Sequence, residues 1–367
     1  MKKIRYIITT LVFCIIVGGF SAWLLIKSPD EASEWERRNL TQFPQVTYQT
    51  LMEGTFMQDF ESYVNDQFPL RNTFRRIKAK ILFDLFNQKD NNGVYIAEGH
   101  ASKFDPDITQ EQIDTFNERI NSLYANNIEG SNCNVYYAII PDKNYFLAQK
   151  NGYPAFDYNY LYSEVNKGIG ANINEISIRD KLTVDDYYTT DTHWRQEKIV
   201  DIANLIREKM NMRPVNDYTQ KSAGEFYGVY YGQSALSLQP DEIIYLENEQ
   251  INSAEMLRLD TNKSAEIYDL ENLSSMDHYD IFLSGARRPL MEITNPMGKP
   301  DKQLVVFRDS FGSSLVPLLI SDYSKITVID TRDLNPMMIS RFVEFTNQDV
   351  LFIYSTMVVE QSTDLLR

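Results

Sequence analysis

The run Ile7 to Ile26, IITTLVFCIIVGGFSAWLLI, contains no charged side chain in twenty positions. As a helix it extends about 30 Å, the thickness of the hydrocarbon core of a bilayer. The reading that follows is a transmembrane anchor at residues 7–26, with the rest of the chain folded in water. Lys2, Lys3 and Arg5 precede the run. The positive-inside bias therefore predicts a cytoplasmic tail at 1–6 and an extracellular domain on a single-pass protein of the cell membrane. A cleaved signal peptide is the competing reading, but the run is long for its apolar segment and no A-x-A pattern follows.

Charge separates the two parts. Residues 1–27 hold four basic and no acidic side chains, leaving 32 Lys+Arg against 51 Asp+Glu beyond them, a net of −19. Such a surface repels nucleic acid and anionic membranes. Cys14 lies in the anchor and Cys133 is alone outside it, so the outer part is expected to stand without an intrachain disulfide. His100, His193 and His278 do not share zinc-ligand spacing with cysteine, which argues against a structural metal.

Residues 27–50 are polar and Pro-punctuated, reading as a tether, and 51–367 as the outer domain. Phe56, Phe60 and Tyr63, then Phe74, Ile77, Ile81 and Leu82, fall near helical spacing on either side of Phe68-Pro69, predicting two helices joined at the proline. Ile113, Phe116, Ile120 and Leu123 predict a further amphipathic helix, and NVYYAIIP after it a strand. The alternation returns in YDIFLS, QLVVFR, KITVID and DVLFIY, short apolar runs suited to a sheet buried on both faces, with a crossover helix in FGSSLVPLLISDY despite Pro317. Residues 151–278 show one clear helix, RQEKIVDIANLIREKM, and no obvious strand ladder. The fold class is α/β.

Sites in open α/β sheets form at the carboxyl ends of strands. Ser310 lies two residues beyond VVFR and just before a helix pattern, so its hydroxyl can stand at that edge beside backbone N–H groups. Asp and Ser are also favoured helix caps, and RDSFG alone reads first as helix initiation. A serine nucleophile needs a base, and the base needs a carboxylate. In DYYTTDTHW, Asp191 and His193 are one residue apart, close enough on a bend for Asp191 to bond one ring nitrogen while the other faces the serine. Trp194 is placed to wall the site. A solvated surface turn is the plainer alternative.

DTHW resembles the signature of the bacterial DHHW proteins, and FRDSFGSSL their serine block. ERRNLTQFP, FESYVNDQFPLRN, NNGVYIAEG, FLSGARRPL and VLFIYST resemble the same family, so the likeness runs over nearly the whole chain. That family is related to the SGNH hydrolase-like proteins that O-acetylate alginate and other exopolysaccharides. The resemblance implies a three-layer α/β/α domain with a central parallel sheet, with Asp and His preceding Ser as in circularly permuted relatives. By resemblance Ser310 is the nucleophile, His193 the base and Asp191 the carboxylate that orients it.

The Ser310 N–H is one expected oxyanion donor and Gly285, at the mouth of a neighbouring strand, the second. Many relatives carry asparagine after that glycine; here Ala286 follows, and losing one such donor costs ~10²–10³ in rate unless a group such as Arg287 replaces it. Lys143, after the first strand, is a candidate to orient substrate, with a solvated turn lysine as the alternative. Arg308 is a candidate to polarise an acyl oxygen or to form a structural ion pair. The aromatics of DYYTT and FYGVYYG suit stacking on sugar rings.

The resemblance implies an O-acyltransferase, expected to be an O-acetyltransferase, that modifies a cell-surface polysaccharide through an acyl-serine. It calls for no cofactor, and for a multispanning membrane acyltransferase partner that delivers the acyl group. A carbohydrate esterase with the same triad, and a non-catalytic glycan-binding or assembly component, are the alternatives.

Overall fold

The computed structural model of the chain describes residues 2–33, 35–104, 107–236, 238–285 and 288–365. Two compact units emerge, Met1–Asn92 with Tyr231–Ser237, and Gly93–Tyr230 with Leu238–Arg367.

The first unit opens with helix α1, Lys2–Ile26, which has no buried residue and by length and composition suits a membrane span or a signal sequence. Helices α2, Thr55–Gln67, and α3, Arg71–Asp84, follow. Between them Pro69 has no N–H to continue a helix, and Leu70 takes a left-handed φ of 60°. Arg38 forks onto Asp66 at 2.6 and 2.9 Å, and Arg71 and Arg75 both pair with Glu36. Hydrogen bonds from Arg38, opposed by partial burial, hold the Asp66 carboxyl well below the usual range. Two of the stretches that carry the family likeness, ERRNLTQFP and FESYVNDQFPLRN, thus meet in one ion-pair knot.

The second unit is a sheet between two helical layers. Its longer helices are α4 (Gln110–Leu123), α5 (Lys143–Asn151), α6 (Tyr158–Gly168), α7 (Val200–Lys209) and α8 (Phe311–Leu319). Its sheet strands are β1 (Asn134–Ile140), β2 (Asn174–Glu175), β3 (Glu255–Arg258), β4 (Lys263–Ala265), β5 (Leu290–Thr294), β6 (Lys299–Arg308), β7 (Tyr323–Ile329) and β8 (Asp349–Ser355). Their spatial order is β4-β3-β5-β7-β6-β8-β1-β2. Strands β7, β6, β8, β1 and β2 run parallel, and β5, β3 and β4 extend the sheet antiparallel.

Alternation along β6 explains the layers. Leu304 and Val306 point into a core shared with Ile202 and Ile206 of α7 and Leu315 and Leu319 of α8. Val305 and Phe307 point the other way, into a core with Ile113 and Phe116 of α4 and Leu161 and Val165 of α6. Each such side chain contributes roughly 1.5–3 kcal/mol when fully buried. The predicted three-layer, mainly parallel α/β architecture is what the chain adopts.

One predicted strand is absent. YDIFLS forms a 3-10 turn at His278–Ile281, with the Asp277 side chain accepting the Tyr279 N–H at 3.0 Å. Tyr279, Ile281, Phe282 and Leu283 are all buried without alternation, so the run fills a core beside the sheet instead of pairing in it. The antiparallel strand is β5, a dozen residues later.

Candidate active site

Strand β6 ends at Arg308, and the next residue fixes the turn. Asp309 accepts the Phe311 N–H at 3.0 Å with one oxygen and the Ser355 N–H at 2.8 Å with the other. It thereby starts α8 and ties the end of β6 to the end of β8. Ser310, already helical at φ −62° and ψ −27°, makes no side-chain cap. The capping work expected of the Asp-Ser pair falls to Asp309, which leaves the serine hydroxyl for another partner. Gly312 allows the close approach: a Cβ there would stand 2.6 Å from Arg308 Cβ.

That partner is His193. Its Nε2 lies 2.8 Å from Ser310 Oγ, and its Nδ1 2.6 Å from Asp191 Oδ1. With Nδ1–H donating to a carboxylate, the hydrogen-bond network assigns Nε2 as the acceptor of the serine hydroxyl. Asp191 and His193 are buried, and Ser310 is half-buried. The order Asp, His, Ser along the relay matches a nucleophile reached from outside and a base shielded from water.

Several groups hold the pair in place. Asp191 Oδ1 also accepts the His193 N–H at 3.1 Å, and Oδ2 accepts the Val229 N–H at 2.8 Å. Gly228 presses on the same residue so closely that a Cβ would meet Asp191 Cβ at 2.4 Å. Asp241 accepts both N–H and both hydroxyl groups of Thr189 and Thr190, at 2.5 to 2.8 Å, pinning the segment that leads to Asp191. The ring of Tyr279 stacks on His193, centroids 3.9 Å apart and planes 6° from parallel. Its hydroxyl donates to Ser314 Oγ at 2.8 Å and approaches Ser310 O at 3.3 Å, while burial pushes its phenol well above the usual range.

The remaining expected residues are placed as follows. Trp194 is fully buried, its Nε1–H shared between Phe311 O and Ser314 Oγ, both at 3.0 Å. It braces the start of α8, while Tyr279 is the ring that restrains the imidazole. Arg308 is buried and ion-pairs with Asp330 at 3.5 Å, Asp330 being shared with Arg332. Lys143 is not a solvated turn lysine: at 2% exposure it donates to Tyr188 O at 2.9 Å and Thr189 O at 3.2 Å. Burial pulls its ammonium down to about 7, opposed by the nearby Asp191 and Asp241. Buried this deeply it supports the Asp191 segment from behind. Gly285 follows the 3-10 turn, so it does not lie at the mouth of a strand, and its N–H donates to Phe282 O at 3.2 Å. Arg287 and Ala286 lie outside the described residues. Among the described residues nothing accepts the Ser310 N–H.

Tyr187 and Tyr188 are core residues and have no face for a sugar; of the two aromatic runs, Tyr227 is exposed, at 45%. Tyr279, Asp241, Ser314 and Val229 were missed in the sequence. Gly228, within the aromatic run FYGVYYG, offered a local signal.

An Asp–His–Ser hydrogen-bonded row at the C-terminal edge of a mainly parallel sheet, between two helical layers, is the arrangement of the SGNH-like α/β class. Within that class the chain carries the DHHW pattern: the family model described as DHHW protein matches residues 147–329, which bears out the resemblance read from the sequence. The crystal structure of a DHHW family protein from Eubacterium siraeum has a TM-score of 0.57 at 19% identity, covering 76% of this chain and 97% of that one. Bacillus cereus PatB1 with a sulfonyl adduct has a TM-score of 0.59 at 17% identity, covering 75% and 98%. The O-acetyltransferase domain of Pseudomonas putida AlgJ superposes less well, with a TM-score of 0.39 at 12% identity over 73% of this chain and 92% of that one. No curated protein matches the sequence.

Proposed function

We propose that this protein is a cell-surface serine O-acyltransferase that moves an acyl group, expected to be acetyl, onto hydroxyls of an extracellular polysaccharide. The observation that carries the reading is the unbroken Asp191–His193–Ser310 hydrogen-bond row, with contacts of 2.6 and 2.8 Å.

In the proposed first half-reaction Ser310 Oγ attacks the acyl carbonyl and its proton passes to His193 Nε2. Asp191 keeps Nδ1–H oriented and stabilises the imidazolium. The tetrahedral oxyanion forms at the start of α8, where the Ser310 N–H is available to donate. The intermediate collapses, the leaving oxygen takes the proton from His193, and Ser310 holds the acyl ester. In the second half-reaction a sugar hydroxyl gives its proton to His193 and attacks that ester, and the departing Ser310 Oγ takes the proton back from His193. Water in place of the sugar makes the same residues an esterase. The half-buried serine beside a buried base suits an acceptor presented at the surface, as a polymer is. The family likeness supports the polysaccharide, and an acyl group delivered through a multispanning membrane partner. The −19 net charge beyond residue 27 favours a neutral glycan over an anionic one at the surface as a whole.

The test is reaction of the purified protein with an activated acetyl ester. A mass increase localised to Ser310, absent in Ser310→Ala and in a folded His193→Ala, is the expected result. Unchanged labelling of Ser310→Ala, or glycan retention indifferent to that change with no adduct in the wild type, leaves a binding component in place of the enzyme. Product analysis with and without an acceptor sugar then divides transfer from hydrolysis.

A further inference from the structure

Helix α3 has a surface that its own unit leaves uncovered. Phe74, Ile77, Ile81 and Leu85 recur at intervals of three and four, so they form one stripe along the helix. They are exposed by 43, 49, 45 and 71%, whereas Ala79 on the opposite side is fully buried. Four large apolar side chains in a row facing outward mark a contact surface.

Two observations identify what covers it. Phe20 of α1 packs its ring against Phe68 and Phe74, with centroids 5.3 and 5.7 Å apart. Phe20 lies six residues before the end of α1 at Ile26, about 9 Å down the helix axis. The first apolar residue of the α3 stripe is therefore fastened to α1 inside its apolar stretch. The second observation is charge. Residues 71–84, RNTFRRIKAKILFD, hold five basic side chains and one acidic, in an outer part whose net charge is otherwise strongly negative. Arg71 and Arg75 turn inward to Glu36, while Lys78 and Lys80 are exposed and have no ion-pair partner among the described residues.

We infer that α3 lies in the outer interface of the bilayer that α1 crosses, its Phe74–Leu85 stripe among the acyl chains and Lys78 and Lys80 at anionic headgroups. The inference rests on α1 being a membrane span and is independent of the acyl transfer. It makes the anchor a two-element device. The spanning helix fixes the protein to the membrane, and the surface helix adds a second contact at its outer face.

The experiment uses the full chain with Cys14→Ala and Cys133→Ala, a single cysteine at Ile81→Cys or Val17→Cys, and an environment-sensitive fluorophore on that cysteine. The protein is reconstituted in phosphatidylcholine vesicles containing phosphatidylglycerol and nitroxide-labelled lipids. Expected are loss of most emission at 81 with shallow nitroxides and at 17 with deep ones, and weakened quenching at 81 alone in Lys78→Glu/Lys80→Glu. A label at 81 that is open to aqueous iodide while 17 is quenched overturns the inference and spares the span. Shielding at 81 that depends on protein-to-lipid ratio instead of nitroxide assigns the stripe to a second copy and also overturns it. Quenching at neither position removes the span, and the inference with it.

Discussion

Helices α8 and α3 are both rich in large apolar residues, yet they are used in opposite ways. In α8, Phe311–Leu319, every residue is buried, the two serines included, and Ser314 is bonded by Trp194 and Tyr279. Along α3, Phe74, Ile77, Ile81 and Leu85 form one stripe, and that stripe faces outward between basic neighbours. A helix apolar on all sides belongs inside a protein, and here it presents Ser310 at a fixed point of the sheet edge. A helix with one outward apolar stripe reports a partner outside its own unit. The same residue types thus build a fully buried helix in one place and an outward apolar stripe in the other, and the arrangement around the helix decides which.

The sharpest way to break this contrast is at the rigid end. Asp191→Asn keeps the volume but lets the imidazole take the wrong tautomer, so acyl-enzyme formation should fall by ~10⁴ with an unaltered melting transition. Burst kinetics with an activated ester measure it, and a loss under tenfold removes the relay from the mechanism. Next comes packing. Leu315→Ala in α8 should destabilise the protein by about 2–5 kcal/mol in denaturant unfolding, because the surrounding helices and sheet cannot collapse into the space.

A smaller effect concerns Lys143. Its folded-state value of about 7 lies below that of a solvated lysine, so between about pH 7 and 10.4 the unfolded chain binds a proton that the folded chain does not. Stability should rise with pH across that window, by at most about 1.4 kcal/mol per pH unit for one proton. Lys143→Met should flatten the slope in urea unfolding, and an identical slope in both proteins assigns it to other groups. Smallest of all, Ile81→Ser in α3 should change unfolding stability by no more than about 0.5 kcal/mol, since the side chain already faces outward. A loss as large as that of Leu315→Ala would show that α3 is a core helix and erase the contrast.

Local patterns carried much of the design. The apolar runs of β1, β6, β7 and β8, the helix around Phe116 and the break at Pro69 were all legible, because each is set by periodicity or by one residue's covalent limits. The pairing of Asp191 with His193 was legible through their spacing, and Ser310 through the change from strand to helix. What stayed hidden depends on distant partners. Tyr279 sits in a run that reads as strand, and its position over the imidazole follows only from the turn that Asp277 caps. The short strands β3 and β4, and the hairpin pairing Thr219–Phe226 with Asp241–Glu247, are polar or brief, so their pairing is decided by neighbours. Lys143 looked solvated because a lysine after a strand usually is. Its burial comes from the carbonyls of Tyr188 and Thr189, some 45 positions away.

The hydrogen bond between the imidazole and the serine closes a loop of 117 residues. Closing so long a stretch of chain costs more entropy than closing a local helix or hairpin. A nascent or truncated polypeptide ending before Ser310 has a base without a nucleophile, whatever else it has folded. Assembly of the relay therefore waits on the last of its three residues along the chain.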